Sequence, residues 1–141
     1  MSADARPPRP RPSAEGQNAE FYRRLATTRR LAFQRCAACG RVRHPPRLAC
    51  PHCGSAEAEY APSRGLGRIY SWTVTHQAFV PAFAHELPYA VVVSELEEGV
   101  RLVSGVRELT LAMLSLDLPI EVVLEEVEDG LVLPFVRPRR S

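Results

Sequence analysis

CAACG at residues 36–40 and CPHCG at residues 50–54 decide the fold of this 141-residue chain, because the two segments contain all four of its cysteines. Each segment has the Cys-x-x-Cys-Gly spacing in which a tight turn brings two sulfur atoms to one side, about 2.3 Å from a zinc ion. Glycine after the second cysteine tolerates the positive φ that such a turn commonly requires. The spacing predicts a zinc ribbon with one structural Zn²⁺ ion, bound by Cys36, Cys39, Cys50 and Cys53.

Other states of the four thiols remain open from the sequence alone. Rubredoxins hold a redox-active iron with a similar pair of knuckles, and two disulfides or four free thiols would also account for the cysteines. His44 and His52 lie close to the knuckles, but four cysteines already complete a tetrahedral site, so the metal needs neither histidine. A site with four protein ligands has no open position, so we expect the metal to support structure and not to act on substrate.

The N-terminal region is expected to contain a tail and a short docking helix. Residues 1–16 are rich in proline and arginine, which predicts a disordered or extended tail. Residues 17–30 are predicted to form a helix, with Asn18 as its N-cap. One face of this helix would present three hydrophobic side chains, those of Phe21, Tyr22 and Leu25. A helix this short is not stable alone, so it is expected to dock on the rest of the chain or on a partner.

The remaining residues divide into the ribbon, residues 31–62, and a β-rich domain, residues 63–138. Within the ribbon, a strand is predicted at residues 31–35 and a second, shorter strand at residues 41–44, where a pair of prolines stops it. Residues 55–67 are predicted to be a loop, since proline and glycine punctuate them.

The β-rich domain shows five strand patterns. In the first, Tyr70, Trp72, Val74 and His76 alternate with small polar residues, which predicts a long strand with one bulky face. The other four strands are predicted at residues 88–96, 100–106, 120–125 and 131–136, with tight turns at residues 97–99 and 129–130. Residues 107–118 fit either a helical turn or a strand. Five strands with this interruption match a small OB-fold barrel, so the expected fold class is mainly β.

An apolar loop at residues 77–84 joins the first two predicted barrel strands. Its aromatic residues Phe79 and Phe83, and the flanking His76 and His85, could contact a partner or line an acyl channel, because exposed aromatic residues often mark interfaces. The alternative is a loop that folds onto its own barrel mouth. We expect no catalytic role for either histidine.

Composition argues against several function classes. No apolar run approaches the roughly 20 residues of a membrane span, and no apolar segment near the N-terminus resembles a secretory signal, so a cytoplasmic protein is expected. The chain has no lysine, which excludes Schiff-base chemistry through that residue. With every cysteine assigned to the metal, no thiol is left as a nucleophile, and no nucleophile elbow, phosphate loop or dinucleotide-binding motif is present. The chain is therefore not expected to be a free-standing enzyme.

Charge is divided unequally along the chain. Residues 1–68 contain thirteen arginines and five acidic residues, a net charge of +8, whereas residues 69–141 contain five arginines and eleven acidic residues, a net charge of −6. The basic half keeps binding of single-stranded nucleic acid as an alternative function, since zinc ribbons and OB folds both occur in such proteins. Acidic residues in the barrel would repel a phosphate backbone, however. A standalone acyl-CoA binder, with arginines at the CoA phosphates, is the second alternative.

Several pieces of the sequence, taken in order, resemble a known family. The pieces are Phe21-Tyr22 with Leu25, residues 31–40, Pro46-Arg47 before the second knuckle, residues 65–72, Leu133-Pro134 and Arg137-Pro138. They are similar to the thiolase-associated proteins that join a rubredoxin-like zinc ribbon to an OB fold, known as acyl-CoA-associated OB-fold proteins or domain of unknown function thirty-five. The family usually has glycine near Asp117 and an aromatic residue at the position of Val136, and the chain departs from it at those two points.

The resemblance implies a non-catalytic accessory subunit in a hetero-oligomer. Its partner would be a thiolase-like enzyme that catalyses acyl transfer, condensation or retro-aldol cleavage of CoA thioesters, with lipid or steroid side-chain degradation as one setting. A hydratase could join the complex, and acyl-CoA held by the partner could touch this chain. The expected partner or acyl contacts are Phe21, Tyr22, Leu25, His76, Phe79, Phe83 and His85.

Overall fold

The structure is a computed structural model that describes residues 7–140. Helix α1 (Gly16–Thr28) precedes three ribbon strands, β1 (Ala32–Cys36), β2 (Val42–Arg43) and β3 (Ala58–Pro62). Five barrel strands follow: β4 (Leu66–Thr75), β5 (Tyr89–Leu96), β6 (Arg101–Val106), β7 (Pro119–Glu128) and β8 (Leu131–Pro138). Two short 3₁₀ helices lie between barrel strands: Pro81–Glu86 between β4 and β5, and Leu111–Met113 between β6 and β7. The predicted mainly β fold, with one helix near the N-terminus, is confirmed.

Helix α1 docks on the chain itself. Phe21 and Leu25 are 2% and 1% exposed, and the ring of Phe21 stacks on that of Phe33 at a centroid distance of 6.2 Å. The predicted cap was wrong: the helix begins at Gly16, and the N-cap is Glu15, whose backbone is extended. Burial of the apolar face stabilises the helix, so its start needs no side-chain cap at Asn18.

The tail is described from residue 7 onward and contains neither helix nor strand up to residue 13. It nevertheless contacts the barrel through two arginines. The amide of Arg9 donates to Glu128 at 3.0 Å, and its guanidinium lies 3.3 Å from Glu86. The guanidinium of Arg11 forms an ion pair with the carboxylate of Glu128 at 3.2 Å. The predicted boundary of the tail at residue 16 stays a prediction, as do the other domain boundaries.

The ribbon sheet has the strand order β2-β1-β3 and is antiparallel throughout. Strand β3 was missed, because residues 55–67 were predicted to be a loop. Its five residues pair with all of β1, and Pro62 lies at its end, where a missing amide donor does little harm on an edge strand. The punctuation that predicted a loop therefore marks only the boundary of a strand.

The five barrel strands close in the order β4-β5-β6-β8-β7. All neighbours are antiparallel except β6 and β8, which are parallel and share a short register at Gly105 and Val106. The predicted turn at residues 129–130 is present, and Gly130 has a φ of 75°. Closure leaves the barrel without a long open edge, which is the property expected of an OB fold.

Strand β4 differs from its predicted pattern. A bulge between Ile69 and Ser71 shifts the register against β5, so Ile69 is fully buried whereas Tyr70 is 47% exposed. Trp72, which follows the bulge in the same strand, packs against the core. Simple alternation cannot predict an inserted residue, so the single bulky face that included Tyr70 and His76 was wrong.

The segment between β6 and β7 forms a helical turn rather than a strand, which settles the ambiguity at residues 107–118. Leu111–Met113 are in the 3₁₀ helix, and Leu116 is 65% exposed. Asp117 follows with a φ of 66°, in the left-handed region that favours glycine and that aspartate tolerates. The departure from the family pattern at this residue is thus compatible with the turn.

Helix, ribbon and barrel share one hydrophobic core. The buried cluster joins Phe21 and Leu25 of the helix and Phe33 of the ribbon to barrel residues such as Ile69, Val92 and Val136. Within residues 7–140, the helices are too short or too polar to cross a bilayer.

Candidate metal centre and barrel groove

The two knuckles bring the four cysteine sulfurs together. The Sγ atoms of Cys36 and Cys53 are 3.5 Å apart, those of Cys39 and Cys50 are 3.7 Å apart, and all four lie within 4.8 Å of one another. Tetrahedral coordination with Zn–S bonds of about 2.3 Å places sulfur atoms about 3.8 Å from each other. The donor set therefore fits one four-coordinate metal ion, and the thiols are not joined as disulfides.

Backbone geometry builds each knuckle in the same way. The amide of Gly40 donates to the carbonyl of Cys36 at 2.9 Å, and the amide of Gly54 donates to the carbonyl of Cys50 at 2.8 Å. The two glycines have φ values of 79° and 81°, which a side chain would strain. The predicted use of glycine after each second cysteine is thereby explained.

Backbone amides favour the thiolate form of the first cysteine in each knuckle, Cys36 and Cys50. Donation from the Cys39 amide lowers the pKa of Cys36 to about 6, and donation from the Cys53 and His52 amides lowers the pKa of Cys50. The pKa of Cys53 is raised to about 11: the Ser55 amide opposes the rise, but the neighbouring thiol of Cys36 and burial outweigh it. Thiolates this close repel one another, and a bound cation would stabilise all four of them.

The two histidines near the knuckles lie in different surroundings. His52 is exposed on the second knuckle, whereas His44 is packed between Phe21 and Phe33, at centroid distances of 4.7 Å and 5.0 Å. Burial lowers the pKa of His44 to about 4, and its Nδ1 atom has no hydrogen-bond partner among the described residues. His44 thus serves the core as a neutral aromatic ring.

The predicted contact residues of the helix are mostly internal. Phe21 and Leu25 are buried, and Tyr22 is half-buried with its ring edge-on to Phe21 at 5.2 Å. A partner could reach Phe21 or Leu25 only if the helix left the core. The helical face predicted for docking is therefore occupied by the chain itself, because the same spacing that suits a partner also suits the core.

The predicted contact residues of the apolar loop separate into two groups. Phe79 projects into solvent and is 86% exposed, and His76 and His85 are exposed as well. Phe83 instead folds back over the barrel, where its ring lies 6.0 Å from that of Tyr89. The loop thus partly folds onto the barrel mouth and partly presents an aromatic side chain outward.

Phe83 lines a groove of about 700 Å³ between β5, β6 and β8. Its walls are mainly apolar and include Tyr89, Val91, Leu109, Leu133 and Phe135. Arg9 and Arg107 lie at the groove, the first paired with Glu86 and the second stacked on the ring of Phe135 at 3.7 Å. Nothing in the tail sequence signalled that Arg9 would line the groove, and only the strand alternation of β8 could have indicated Phe135.

The fold and the cysteine cluster define the class: a zinc-ribbon protein with an OB-fold barrel. Residues 23–59 match the model of the ChsH2 rubredoxin-like zinc ribbon domain, and residues 60–125 match that of the ChsH2 C-terminal OB-fold domain. The chain belongs to this ChsH2 (DUF35) family, as the sequence pieces had indicated.

Three relatives place the chain within the family. It is 40% identical to a chain of a solved structure titled "Ltp2-ChsH2(DUF35) aldolase", with a TM-score of 0.82, and covers 98% of that chain with 91% of its own length. It is 31% identical to a DUF35 domain-containing scaffold protein of Methanothermobacter thermautotrophicus, over 79% of this chain and 86% of the relative.

The third relative, a probable enoyl-CoA hydratase alpha subunit of Thermomonospora curvata, is 42% identical over 92% of this chain. The chain spans only 40% of that relative's length. The names of these three relatives refer to an aldolase complex, a scaffold protein and a hydratase subunit.

Proposed function

We propose that this protein is a non-catalytic subunit that binds a thiolase-like enzyme and shapes its acyl-CoA site. The observation that carries the proposal is the 40% identity to a chain of the "Ltp2-ChsH2(DUF35) aldolase", which this chain covers almost completely. Acyl transfer, condensation and retro-aldol cleavage of CoA thioesters are the reactions that such a partner would catalyse, in lipid or steroid side-chain degradation among other settings. A hydratase is a candidate third component.

The non-catalytic role is supported by the disposition of the reactive side chains. All four thiols lie in the metal cluster, so none is free to form a thioester with an acyl group. His44 is enclosed by two aromatic rings, and His52 is not among the residues that line the barrel groove. The chemistry is therefore assigned to the partner.

The metal ion is proposed to be zinc with a structural role. Four thiolates are soft ligands that suit zinc and iron, and they leave zinc no open position. Purified protein should be colourless and contain one zinc per chain, whereas rust-red absorbance would identify iron. Cys36→Ser and Cys53→Ser should each lose the metal, with Ala38→Ser as a control in the same knuckle, and unchanged zinc in both cysteine variants would contradict the assignment.

Contact with acyl-CoA held by the partner is proposed at the loop and groove. Phe79 offers an exposed aromatic ring, and Phe83 with the groove offers an apolar wall next to it. Grooves of this size and lining are suitable for small apolar groups.

Co-expression tests the proposed function. A thiolase-like protein encoded beside this chain should co-purify with it and should be insoluble or inactive when expressed alone. Calorimetry with acyl-CoA on this chain, with and without the partner, separates the subunit from a standalone binder. A partner that is fully active and stable without this chain would refute the accessory role.

A further inference from the structure

The arginines of the structure differ by region in whether they have acidic partners. Of the seventeen arginines in residues 7–140, twelve form ion pairs with a carboxylate. The five that do not are Arg30, Arg41, Arg43, Arg47 and Arg139. Four of these five lie between residues 30 and 47, in or next to the ribbon. The arginines of the barrel strands are thus all paired, whereas of the four ribbon arginines only Arg35 is paired, with Glu59.

Buried Arg43 positions part of this basic region. Its guanidinium is only 7% exposed and donates to Gln34 Oε1 at 2.8 Å and to the carbonyl of Arg47 at 3.3 Å. The same Gln34 oxygen accepts the Arg47 amide at 2.9 Å. Residue 47 is therefore fixed to the ribbon sheet at both its amide and its carbonyl.

The metal centre fixes a second part of the region. Arg41 follows Cys39 by two residues, Leu48 precedes Cys50 by two residues, and the sulfurs of these two cysteines are 3.7 Å apart. Arg41 and Leu48 are therefore each anchored two residues from a cysteine of the same cluster. We call Arg41, Arg47 and Leu48 the basic tip.

Leu48 is, after Phe79, the most exposed large hydrophobic side chain among the described residues. It is 77% exposed, and its backbone is anchored next to Arg47. Two exposed guanidinium groups without carboxylates, together with an exposed leucine, match the composition of protein interfaces, which are enriched in arginine and have an apolar centre. Desolvation of these guanidiniums costs least where carboxylates replace water, because the pair forms charge-assisted hydrogen bonds.

We propose that the basic tip docks on an acidic face of the thiolase-like partner, with Leu48 in an apolar contact beside Arg47. The inference rests on the proposed function and names the surface that the partner recognises. A protein fits the tip better than a nucleic acid does, because the phenylalanine and tyrosine rings of the ribbon are not available for base stacking: Phe33 is buried, and the guanidinium of Arg24 lies over Tyr60 at 4.2 Å.

Matched substitutions test the proposal in the co-expressed complex. Arg41→Glu and Arg47→Glu are compared with Arg139→Glu, which reverses the charge of an unpaired arginine on the barrel. Leu48→Asp is compared with Leu116→Asp, at a barrel leucine of similar exposure. The dissociation constant is measured at about 50 mM and about 300 mM salt, because screening weakens exposed charge pairs. Zinc content and circular dichroism establish that each variant is folded.

Each substitution in the basic tip should weaken the complex by about tenfold or more, and each barrel control should stay within about twofold of the unaltered chain. The loss in the two arginine variants should shrink at the higher salt concentration. Equal losses in the barrel controls, or a complex unaffected by all three tip variants, would overturn the assignment of this surface and leave the proposed function intact.

Failure of the unaltered chain to bind the partner would refute the proposed function, and the docking surface with it. A single-stranded oligonucleotide of about 20 nucleotides provides the remaining comparison. Loss of oligonucleotide binding in the tip variants, with partner binding unchanged, would assign the tip to nucleic acid and reject the proposal.

Discussion

Gly67 pairs with Leu96 where strands β4 and β5 lie very close together. A Cβ atom at this residue would be 2.2 Å from the carbonyl oxygen of Glu95 and 2.9 Å from the Cα atom of Leu96. Both are backbone atoms, so neither can move aside without displacing strand β5. Glycine is required here for close packing, and not for a left-handed backbone.

Gly67→Ala should therefore destabilise the protein. The added methyl group would force β4 and β5 apart, with a loss of about 3 kcal/mol in the free energy of unfolding. Denaturation followed by the fluorescence of Trp72, the only tryptophan, measures the effect. Ser71→Ala, at an exposed site of the same strand, is the control and should change the free energy by less than about 0.5 kcal/mol. Equal stability of the two variants would show that the strands can separate without cost.

His44 makes stability depend on pH. Its pKa in the folded protein is about 4, against 6.5 for an unperturbed histidine, because burial disfavours the charged ring. The unfolded chain therefore binds a proton that the folded chain resists. The contribution of this residue is complete above about pH 6.5 and is lost as the pH falls toward 4.

His44→Phe should remove that contribution and keep the contacts with Phe21 and Phe33. The unaltered protein should lose at most about 3 kcal/mol more than the variant between pH 7 and pH 4. Unfolding free energies of both proteins, measured across this range with excess zinc, test the difference, and exposed His52→Phe should follow the unaltered protein. Parallel curves for the unaltered protein and His44→Phe would exclude His44 as the source.

At the scale of elements, the tail joins two parts of the barrel that are distant in sequence. Arg9 pairs with Glu86 at the end of the 3₁₀ helix and lies over the ring of Phe83 at 5.2 Å, while its amide contacts Glu128 at the end of β7. The loop that carries Phe83 is therefore tied to the β7–β8 hairpin by a segment with no secondary structure of its own.

Arg9→Gln should loosen the loop with little effect on global stability. Partly exposed ion pairs contribute about 1 kcal/mol or less, so the unfolding free energy should change by no more than that. Hydrogen exchange at residues 81–87 should become several-fold faster, as local opening needs only local contacts to break. Arg11→Gln separates the role of the loop contact from that of the Glu128 contact. Unchanged exchange in the Arg9 variant would show that the loop is held by Phe83 alone.

Elements determined by neighbouring residues could be predicted from the sequence, and elements determined by distant partners could not. Ribbon knuckles, helix and the last hairpin were predicted because a few neighbouring residues determine each of them. Strand β3 and the bulge at Ile69 were not, since both depend on partners: β3 on pairing with β1, and the bulge on register with β5. For the groove, the sequence predicted only that the loop with Phe83 could line a channel or fold onto the barrel mouth. It did not predict Arg9, which reaches the groove from a segment whose composition indicates no structure.

At the scale of the whole molecule, arginines of the basic first half form ion pairs with acidic residues of the second half. Arg9, Arg11 and Arg29 pair with acidic residues beyond residue 85, and Arg64 and Arg68 do the same. The sequence predicted the charge asymmetry but not its use within the fold. What remains unpaired is concentrated at the ribbon, which is why the basic tip stands out.

The shared core predicts that metal removal is felt in the barrel. Phe33 on β1 belongs to the same buried cluster as Ile69 and Val92, so loss of the ribbon would expose barrel residues. A zinc chelator should lower the thermal midpoint reported by Trp72 by about 5 °C or more, because the metal binds only the folded ribbon. Cys36→Ser should show no further response to chelator. An unchanged midpoint would mean that the ribbon and the barrel unfold independently.

The ribbon is formed by one continuous segment of the chain, so it can fold before the barrel during synthesis. Its three strands and four cysteines lie within residues 32–62, so the metal can be captured while the barrel is still being translated. Barrel closure between β4 and β7, and the contact of the helix with β8, must wait for residues 119–138. The nascent chain therefore carries a complete metal module beside an incomplete hydrophobic core, and the twenty residues from 119 to 138 complete both the barrel and the core.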